Sequence, residues 1–510
     1  MATVGLRIVL PGTLVLLFAT VIWSSGAIGA EPGMTRARNV LLLIADQHHH
    51  AVLGSAGNSV VRTPNLDQLA REGISVTHAT AVTPFCSPTR ASFVTGQWPH
   101  THRVLSNVQE GVEGITDRQT TLDNTLFDAG YKMRHFGRWG IGERTALRAY
   151  RDQIGSRQET AEYRRWLEKR KDAVETRAPR PGEVFLDKLF MTKGMARAHL
   201  VWKEDLLRSP QDVSRIGRSP IAARAQQESW LVDRVIDWME QNADKPFMLT
   251  YSAVPPHAPW AAPDPYYSMY DPAKMPLPAS FYDRSAIYRD SQPSRMVRLL
   301  GEEGVREYLR CYYAGVTMMD ELFGRVLGKL RELGLEENTL VIYTSDHGDM
   351  QGAHAMMGKY VDAYYDEIVR VPLIVRYPPS IRAGKTLEQH ASSVDVMPTI
   401  LDYLGLPLPP SVQGQSLRDQ LDGKVAPDDR PAFGERGIDG INASRMIRTR
   451  EWKYSIFGSG RRELFHLAED PNELRNLIED PSYEAQRKGL EQQLRQWMVA
   501  NKDPALDGLL

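Results

Sequence analysis

Asn39-Val40-Leu41-Leu42-Leu43-Ile44-Ala45 is a continuous apolar run that ends in Asp46-Gln47. A run with no polar alternation is the pattern of a strand buried on both faces, and such strands belong to parallel sheets. Leu340–Ser345 (LVIYTS) repeats the pattern and ends in Asp346-His347. Phe247–Val254 runs into Pro255-Pro256-His257, and Pro372–Tyr377 supplies a fourth run. Helical periodicity lies between them. Arg224–Asn242 places Leu231, Val235, Ile236 and Met239 on one face, and Thr317–Leu333 does so with Leu322, Phe323, Val326, Leu327 and Leu330. The alternation predicts an α/β fold with a central, mostly parallel sheet flanked by helices. Ligands of such sheets sit beyond the carboxyl ends of the strands. Asp46, His257 and Asp346 occupy that kind of position.

Outward from this core, Met1–Ala30 reads as an export signal. Arg7 precedes an apolar stretch from Ile8 to Trp23, and the small residues Ala27 and Ala30 offer cleavage positions. The stretch contains Pro11 and Gly12 and is short for a spanning helix, so an uncleaved membrane anchor is the second reading. The expected location is periplasmic or secreted. Residues 31–426 form the expected catalytic domain. Within it, residues 144–217 are dense in charge and read as a helical surface insertion. From Pro427 the pattern shortens. Met446–Phe457 predicts paired strands and Tyr483–Val499 a last helix, together a small C-terminal α+β subdomain over residues 427–510.

Composition narrows the function class. The 510 residues carry 62 Lys+Arg against 63 Asp+Glu, a formal net charge of −1. That balance excludes a strongly basic nucleic-acid binder. With 42% hydrophobic and 25% charged residues, the chain has the make-up of a folded globular protein. Two cysteines, Cys86 and Cys311, exclude a disulfide-dense scaffold. Cys311 lies in an apolar helical stretch (YLRCYYAGV) and reads as a buried structural thiol.

Cys86 has a different setting, Cys86-Ser87-Pro88-Thr89-Arg90-Ala91-Ser92-Phe93-Val94-Thr95-Gly96. Ser87 is a good N-cap, Pro88 suits the first turn and Gly96 suits the stop, so a short helix is expected to start beside Cys86. Its N-terminal end and Arg90, one turn on, favour an anionic tetrahedral group at Cys86. Taken alone, the setting suggests a low-pKa thiolate.

The C-x-P-x-R pattern followed by Thr-Gly resembles the sulfatase signature. Asn39–Gln47, Thr63-Pro64-Asn65-Leu66, Ser345-Asp346-His347-Gly348-Asp349, Gly358-Lys359-Tyr360, Arg370–Val375, Asp395–Thr399 and Glu463–Leu467 with Asp470-Pro471 resemble other segments of that family, in order. The resemblance spans about Asn39 to Leu477 and implies the alkaline phosphatase-like fold. It implies a sulfuric ester hydrolase in which a maturation enzyme oxidises Cys86 to formylglycine, whose hydrate attacks sulfur and later expels inorganic sulfate. It implies a divalent metal held by Asp46, Gln47, Cys86 in its modified form, Asp346 and His347. Carboxylates and an amide oxygen make Ca²⁺ the first expectation, and the imidazole makes Mn²⁺ the second. Arg90, His257 and Lys359 are the catalytic candidates beside Cys86. Arg138, Lys359 and His257 are the substrate-binding candidates, with His257 able to assist the leaving group. His48, His49 and His50 read as rim or surface residues, and His354 as lying behind the metal segment.

Two features depart from the commonest family pattern. Gln47 and His347 stand where many members carry Asp and Asn, which resembles the branch with choline-sulfatase-like enzymes and phosphonate monoester hydrolases. Gly137-Arg138-Trp139-Gly140 stands where many carry Gly-Lys-Trp-His. Gly140 cannot do the work of a histidine, so either another residue (His100 or His102) fills that place or the release step differs. A phosphonate monoester or phosphodiester hydrolase is therefore the alternative reading. A non-catalytic sulfoglycan-binding protein is the alternative from another class. The expected partner is a sulfated small molecule or glycan, with Trp260, Tyr266 and Tyr267 as candidate stacking residues. No nucleic acid is expected, and the oligomeric state is open.

Overall fold

The computed structural model describes residues 36–108, 114–153, 155–175, 185–186, 198–199, 216–283, 288, 291–360 and 362–510. The export signal read over residues 1–30 lies outside them, as do most of residues 176–215 of the charged insertion. Seven strands build the central sheet: β1 (Asn39–Asp46), β2 (Ile74–Thr80), β3 (Lys132–Gly137), β4 (Phe247–Pro256), β5 (Thr339–Ser345), β6 (Leu373–Arg376) and β7 (Lys385–Ser392). Their order is β7-β2-β6-β5-β1-β4-β3, and only β6 runs antiparallel to its neighbours. The apolar run at β6 thus forms a strand but not a parallel one. The chain leaves β5 at the carboxyl edge, and the described residues of Asp346–Pro372 form turns, a 3₁₀ turn (Ala353–Ala355) and a short helix (Asp366–Val369). A parallel return needs a crossover to the opposite edge, and this segment makes none.

All eight residues of β1 are buried. Leu41, Leu43 and Ala45 pack on one face with α3 (Gln227–Asn242) and α4 (Gln292–Glu332). Val40, Leu42 and Ile44 pack on the other with α5 (Val396–Leu404) and Ala91 and Phe93 of α2 (Cys86–Thr95). Each fully buried Leu or Ile contributes about 1.5–3 kcal/mol, which fixes the register of the strand between two cores. Helix α3 agrees with its apolar face, burying Leu231, Val235 and Met239. Helix α4 starts well before the expected Thr317 and is broken at Gly301, where φ is 65° and ψ −175°.

Register brings the functional segments together. Ala45 of β1 pairs with Ser345 of β5 on one side. On the other, the pairing with β4 slips at Ala45/Asp46, so that Asp46 lies opposite Pro256. Asp46-Gln47, Pro256-His257 and Asp346-His347 therefore leave the same sheet edge from three adjacent strands. The described residues of the insertion include the helix Ser156–Glu168 and short strands at Phe185–Leu186, Ala198–His199 and Ile216–Arg218, the last pairing with Trp260–Ala262. Among those described residues, short strands accompany the expected helix.

The C-terminal region carries an antiparallel sheet of β8 (Ala432–Arg436), β9 (Ser444–Arg448), β10 (Trp452–Phe457) and β11 (Arg462–His466), with α6 (Glu484–Ala500) against it. Leu490, Leu494, Trp497 and Met498 pack on Ile447, Tyr454, Ile456 and Leu464. Arg36–Leu510 forms one compact unit. Among the described residues no helix is long and apolar enough to cross a membrane.

Candidate active site

Helix α2 begins at Cys86, with Phe85 rather than Ser87 at the N-cap position. The expected Ser87 cap does not form because its hydroxyl accepts from the Val108 N–H at 2.9 Å. The Ser87 N–H, left open at the helix end, donates to Asn107 Oδ1. Gly96 stops the helix as expected, in a left-handed conformation with φ 62°. Cys86 is fully buried, and its Sγ lies 3.2 Å from His347 Nε2, 2.8 Å from Lys359 Nζ and 3.9 Å from Asp46 Oδ1. Asp46, Cys86, Asp346 and His347 each offer one ligand atom, and these atoms all lie within 4.8 Å of one another. Two carboxylates and an imidazole beside a thiol are a donor set that fits a borderline divalent cation, and without the thiol a harder one.

Arg90 locks the two carboxylates. Its Nε donates to Asp346 Oδ2 at 2.7 Å, its second nitrogen to Asp46 Oδ2 at 3.0 Å, and its third to Ser252 Oγ at 2.7 Å and to the Arg138 carbonyl at 3.0 Å. Arg138 Nε lies 2.7 Å from Asp46 Oδ2, with its side chain 27% exposed. Three permanent or near-permanent cations thus face two carboxylates, a surplus that suits an incoming anion. Burial pushes the Asp46 carboxyl up, yet Arg138, Arg90 and Lys359 hold it well below the usual carboxylate range. Asp346 is also held low, chiefly by Arg90 against burial and the neighbouring Asp46. Burial and Asp46 push the Cys86 thiol up, but Lys359, Arg138 and His347 outweigh them and bring it down.

Gln47 adopts a left-handed backbone, φ 68°, rare for a residue with a side chain. Its N–H donates to Asp346 Oδ1 at 3.0 Å and its carbonyl accepts from Tyr312 OH at 2.6 Å. Its side-chain Nε2 donates to Asp349, a partner to which the sequence reading gave no role. Burial, with Arg138 and Lys359, brings His257 down to about 3 despite the attraction of Asp46. Its Nδ1 lies 2.8 Å from the Ala258 carbonyl, so Nδ1 carries the proton and Nε2 is the acceptor of the neutral ring.

A cavity of about 320 Å³ opens over this cluster, lined by Gln47, His257, Trp260, Met296, Met357, Lys359 and Tyr360 among others. Of the three expected stacking residues only Trp260 lines it. Tyr267 is buried and bonded to Glu307, and Tyr266 is buried in the core, because both belong to the turn that packs on α4. His100 and His102 do not take the place of a histidine at Gly140. His100 bonds Glu435 at 2.7 Å and the Asn501 carbonyl, and His102 bonds Ser92 Oγ at 3.1 Å on the far side of α2. At Gly140, φ is 75° and an added Cβ would lie 3.3 Å from Arg90 Cδ. His48 and His49 are buried rather than on the rim or surface, His48 bonded to Tyr343 and Val52, while His50 is half-buried. His354 faces away from the cluster, bonded to Asp283 and stacked on Tyr365 at 3.8 Å. Cys311 is buried in α4, as expected.

Residues 38–406 match the sulfatase family model. The chain belongs to the sulfatase family. Residues 352–500 also match the C-terminal model of N-sulphoglucosamine sulphohydrolase. An ulvan-active sulfatase of Formosa agariphila is 27% identical, over 89% of this chain and 80% of its own. A multifunctional alkaline phosphatase superfamily protein of Trinickia caryophylli is 28% identical, over 93% and 97%. The solved phosphonate monoester hydrolase of Silicibacter pomeroyi superposes with a TM-score of 0.73 at 26% identity, covering 92% of this sulfatase and 96% of that chain. The fold is thus the alkaline phosphatase-like one, and the protein is a sulfuric ester hydrolase. Sequence reasoning missed Ser252, Asp349, Tyr308, Tyr312, Met296 and Met357. The four-residue spacing of Tyr308 and Tyr312 on one helix face was the one signal for that pair.

Proposed function

We propose that this sulfatase hydrolyses sulfate esters through a formylglycine formed from Cys86, with a divalent cation held by Asp46, Gln47, Asp346 and His347. Ca²⁺ is the first assignment and Mn²⁺ the second. The observation that carries the reading is the meeting at Cys86 of the α2 N-terminus, the Asp46–Asp346–His347 donors and Lys359. Bound there, the cation supplies positive charge that favours a deprotonated hydroxyl and draws density from the ester oxygens. The modified side chain supplies a geminal diol, one hydroxyl to displace the alcohol from sulfur and a second to expel sulfate as the aldehyde reforms.

The protein's own side chains do the rest. Lys359, beside the position of Sγ, neutralises the sulfuryl oxygens together with Arg138. Arg90 keeps Asp46 and Asp346 ionised and aimed. His257 Nε2 faces the leaving oxygen as an acceptor that must take up a proton before it can donate one. The approach of an anionic ester supports that uptake by offsetting Arg138 and Lys359. Trp260, Met296 and Met357 receive the organic part of the ester. A maturation enzyme that oxidises Cys86 and export by the N-terminal segment complete the proposal.

A phosphonate monoester or phosphodiester activity is the second reading. It is favoured by the glycine at position 140 and by the similarity to phosphonate monoester hydrolases. The test compares aryl sulfate, aryl phosphonate monoester and phosphodiester on protein made with a co-expressed maturation enzyme, with Cys86→Ala as control. A sulfate preference that vanishes in the variant supports the proposal. A preference for the phosphorus esters replaces it with the second reading. Sulfated glycan binding with turnover unchanged in Cys86→Ala would point to a binding protein.

A further inference from the structure

A glutamine amide has two ends of the same shape. Only the carbonyl end accepts a cation, while the NH₂ end repels it. Something must therefore decide which end Gln47 presents, and the hydrogen bonds around Asp349 make that decision. Asp349 is fully buried. Its Oδ1 accepts two donors, Tyr308 OH at 2.5 Å and the Gln351 N–H at 2.8 Å. Its Oδ2 accepts from Gln47 Nε2. A carboxylate accepts at both oxygens and donates at neither. Asp349 can hold only the NH₂ end of Gln47, which leaves Oε1 as the free end.

The backbone is secured from the same helix. Tyr308 and Tyr312 stand one turn apart on α4. Tyr312 OH donates to the Gln47 carbonyl at 2.6 Å and accepts from the His49 N–H at 2.9 Å. These bonds hold the left-handed turn at Gln47. Tyr308 also packs edge-on to Trp260 of the substrate cavity, with ring centroids 4.8 Å apart.

We infer that Asp349, pinned by Tyr308, is a positioning residue that sets the amide orientation of Gln47 and so makes Gln47 an oxygen ligand. This rests on the proposal that Gln47 holds the cation. The arrangement predicts an inversion in Asp349→Asn. Tyr308 OH and the Gln351 N–H still require an acceptor at Oδ1, so the new NH₂ takes the Oδ2 position. It then donates to Gln47, whose own NH₂ turns toward the cation. Exchanging the pair, in Gln47→Glu/Asp349→Asn, restores a donor-to-carboxylate bond and frees one oxygen, with net charge unchanged.

The test is Mn²⁺ titration by calorimetry on the full-length protein after chelation, with thermal unfolding to confirm folding. Asp349→Asn is expected to lower Mn²⁺ affinity about 10–100-fold, the range typical of partners that orient metal ligands. The exchanged pair should recover most of it. Asp349→Asn added to Gln47→Ala should lower affinity no further, which separates orientation from the lost charge. Tyr308→Phe, the milder variant should Asp349→Asn fail to fold, should weaken Mn²⁺ binding several-fold. Unchanged affinity in both Asp349→Asn and Tyr308→Phe would overturn the inference. So would an equal loss from Asp349→Asn in the Gln47→Ala background, or no recovery in the exchanged pair. Wild-type affinity in Gln47→Ala alone would overturn the reading of Gln47 as a ligand, a different failure.

Discussion

Arg90 is the side chain on which the charge balance of the site turns. It is 3% exposed and divides its nitrogens among Asp346, Asp46, Ser252 and the Arg138 carbonyl. Arg90→Ala leaves two fully buried carboxylates with Arg138 as the remaining paired arginine on Asp46. Removing one partner of a buried ion pair costs about 3–5 kcal/mol. The buried Ser252 hydroxyl loses its Arg90 donor as well, whereas the Arg138 carbonyl keeps His135 Nε2 at 3.1 Å; an unpaired buried group costs about 1–3 kcal/mol. Protonation of one carboxylate relieves part of this, so the expected net loss is about 3–5 kcal/mol in metal-free protein. A divalent cation supplies the missing charge, and the loss should shrink when Mn²⁺ or Ca²⁺ is added. Arg90→Lys keeps the charge but cannot span both carboxylates and Ser252, and should fall between the two. The assay is urea unfolding followed by tryptophan fluorescence, with chelator and with metal, on wild type and variants side by side. Turnover should fall about 10²–10³-fold in Arg90→Ala at saturating metal. A metal-free Arg90→Ala as stable as wild type, within about 1 kcal/mol, would refute the reasoning, since that is the spread of a surface substitution.

His257→Ala should slow alkyl sulfates about 10²–10⁴-fold and nitrophenyl sulfate far less, because a good leaving group needs no proton; equal losses on both would remove His257 from leaving-group assistance. Gly140→Ala places a Cβ 3.3 Å from Arg90 Cδ on a backbone at φ 75°, and should cost about 1–2 kcal/mol of stability and lower kcat; a variant with wild-type kcat and unfolding temperature would show that Arg90 gives way freely. The folded-state values of Asp46 and Asp346 lie below their unfolded values. Their contribution is therefore present above about pH 4, the unfolded aspartate value, and is lost as pH falls through the folded values. Metal-free protein should lose unfolding temperature on acidification below about pH 4, with a shallower fall in Asp46→Asn; identical slopes would contradict the paired state of Asp46.

The sequence by itself determined the strands and their exits. Local apolar runs encode burial, and an apolar run that ends in Asp46, or in Asp346-His347, states where a strand stops and a site begins. The Cys86–Gly96 helix was legible for the same reason, since Pro88, Gly96 and the helical spacing act within a few residues. Its cap was not, because Ser87 is claimed by Val108, a partner outside the helix. Tertiary structure alone decided the partnerships. Cys86 meets His347 across 261 positions of chain, and Gln47 meets Asp349 across 302. Such pairs depend on the register of β1 between β4 and β5 and on the slip at Asp46, which no local pattern records. For the same reason His100 and His102, near Cys86 in sequence, serve the C-terminal subdomain and the back of α2. Tyr308 and Tyr312, more than 200 residues away, hold the Gln47 turn instead.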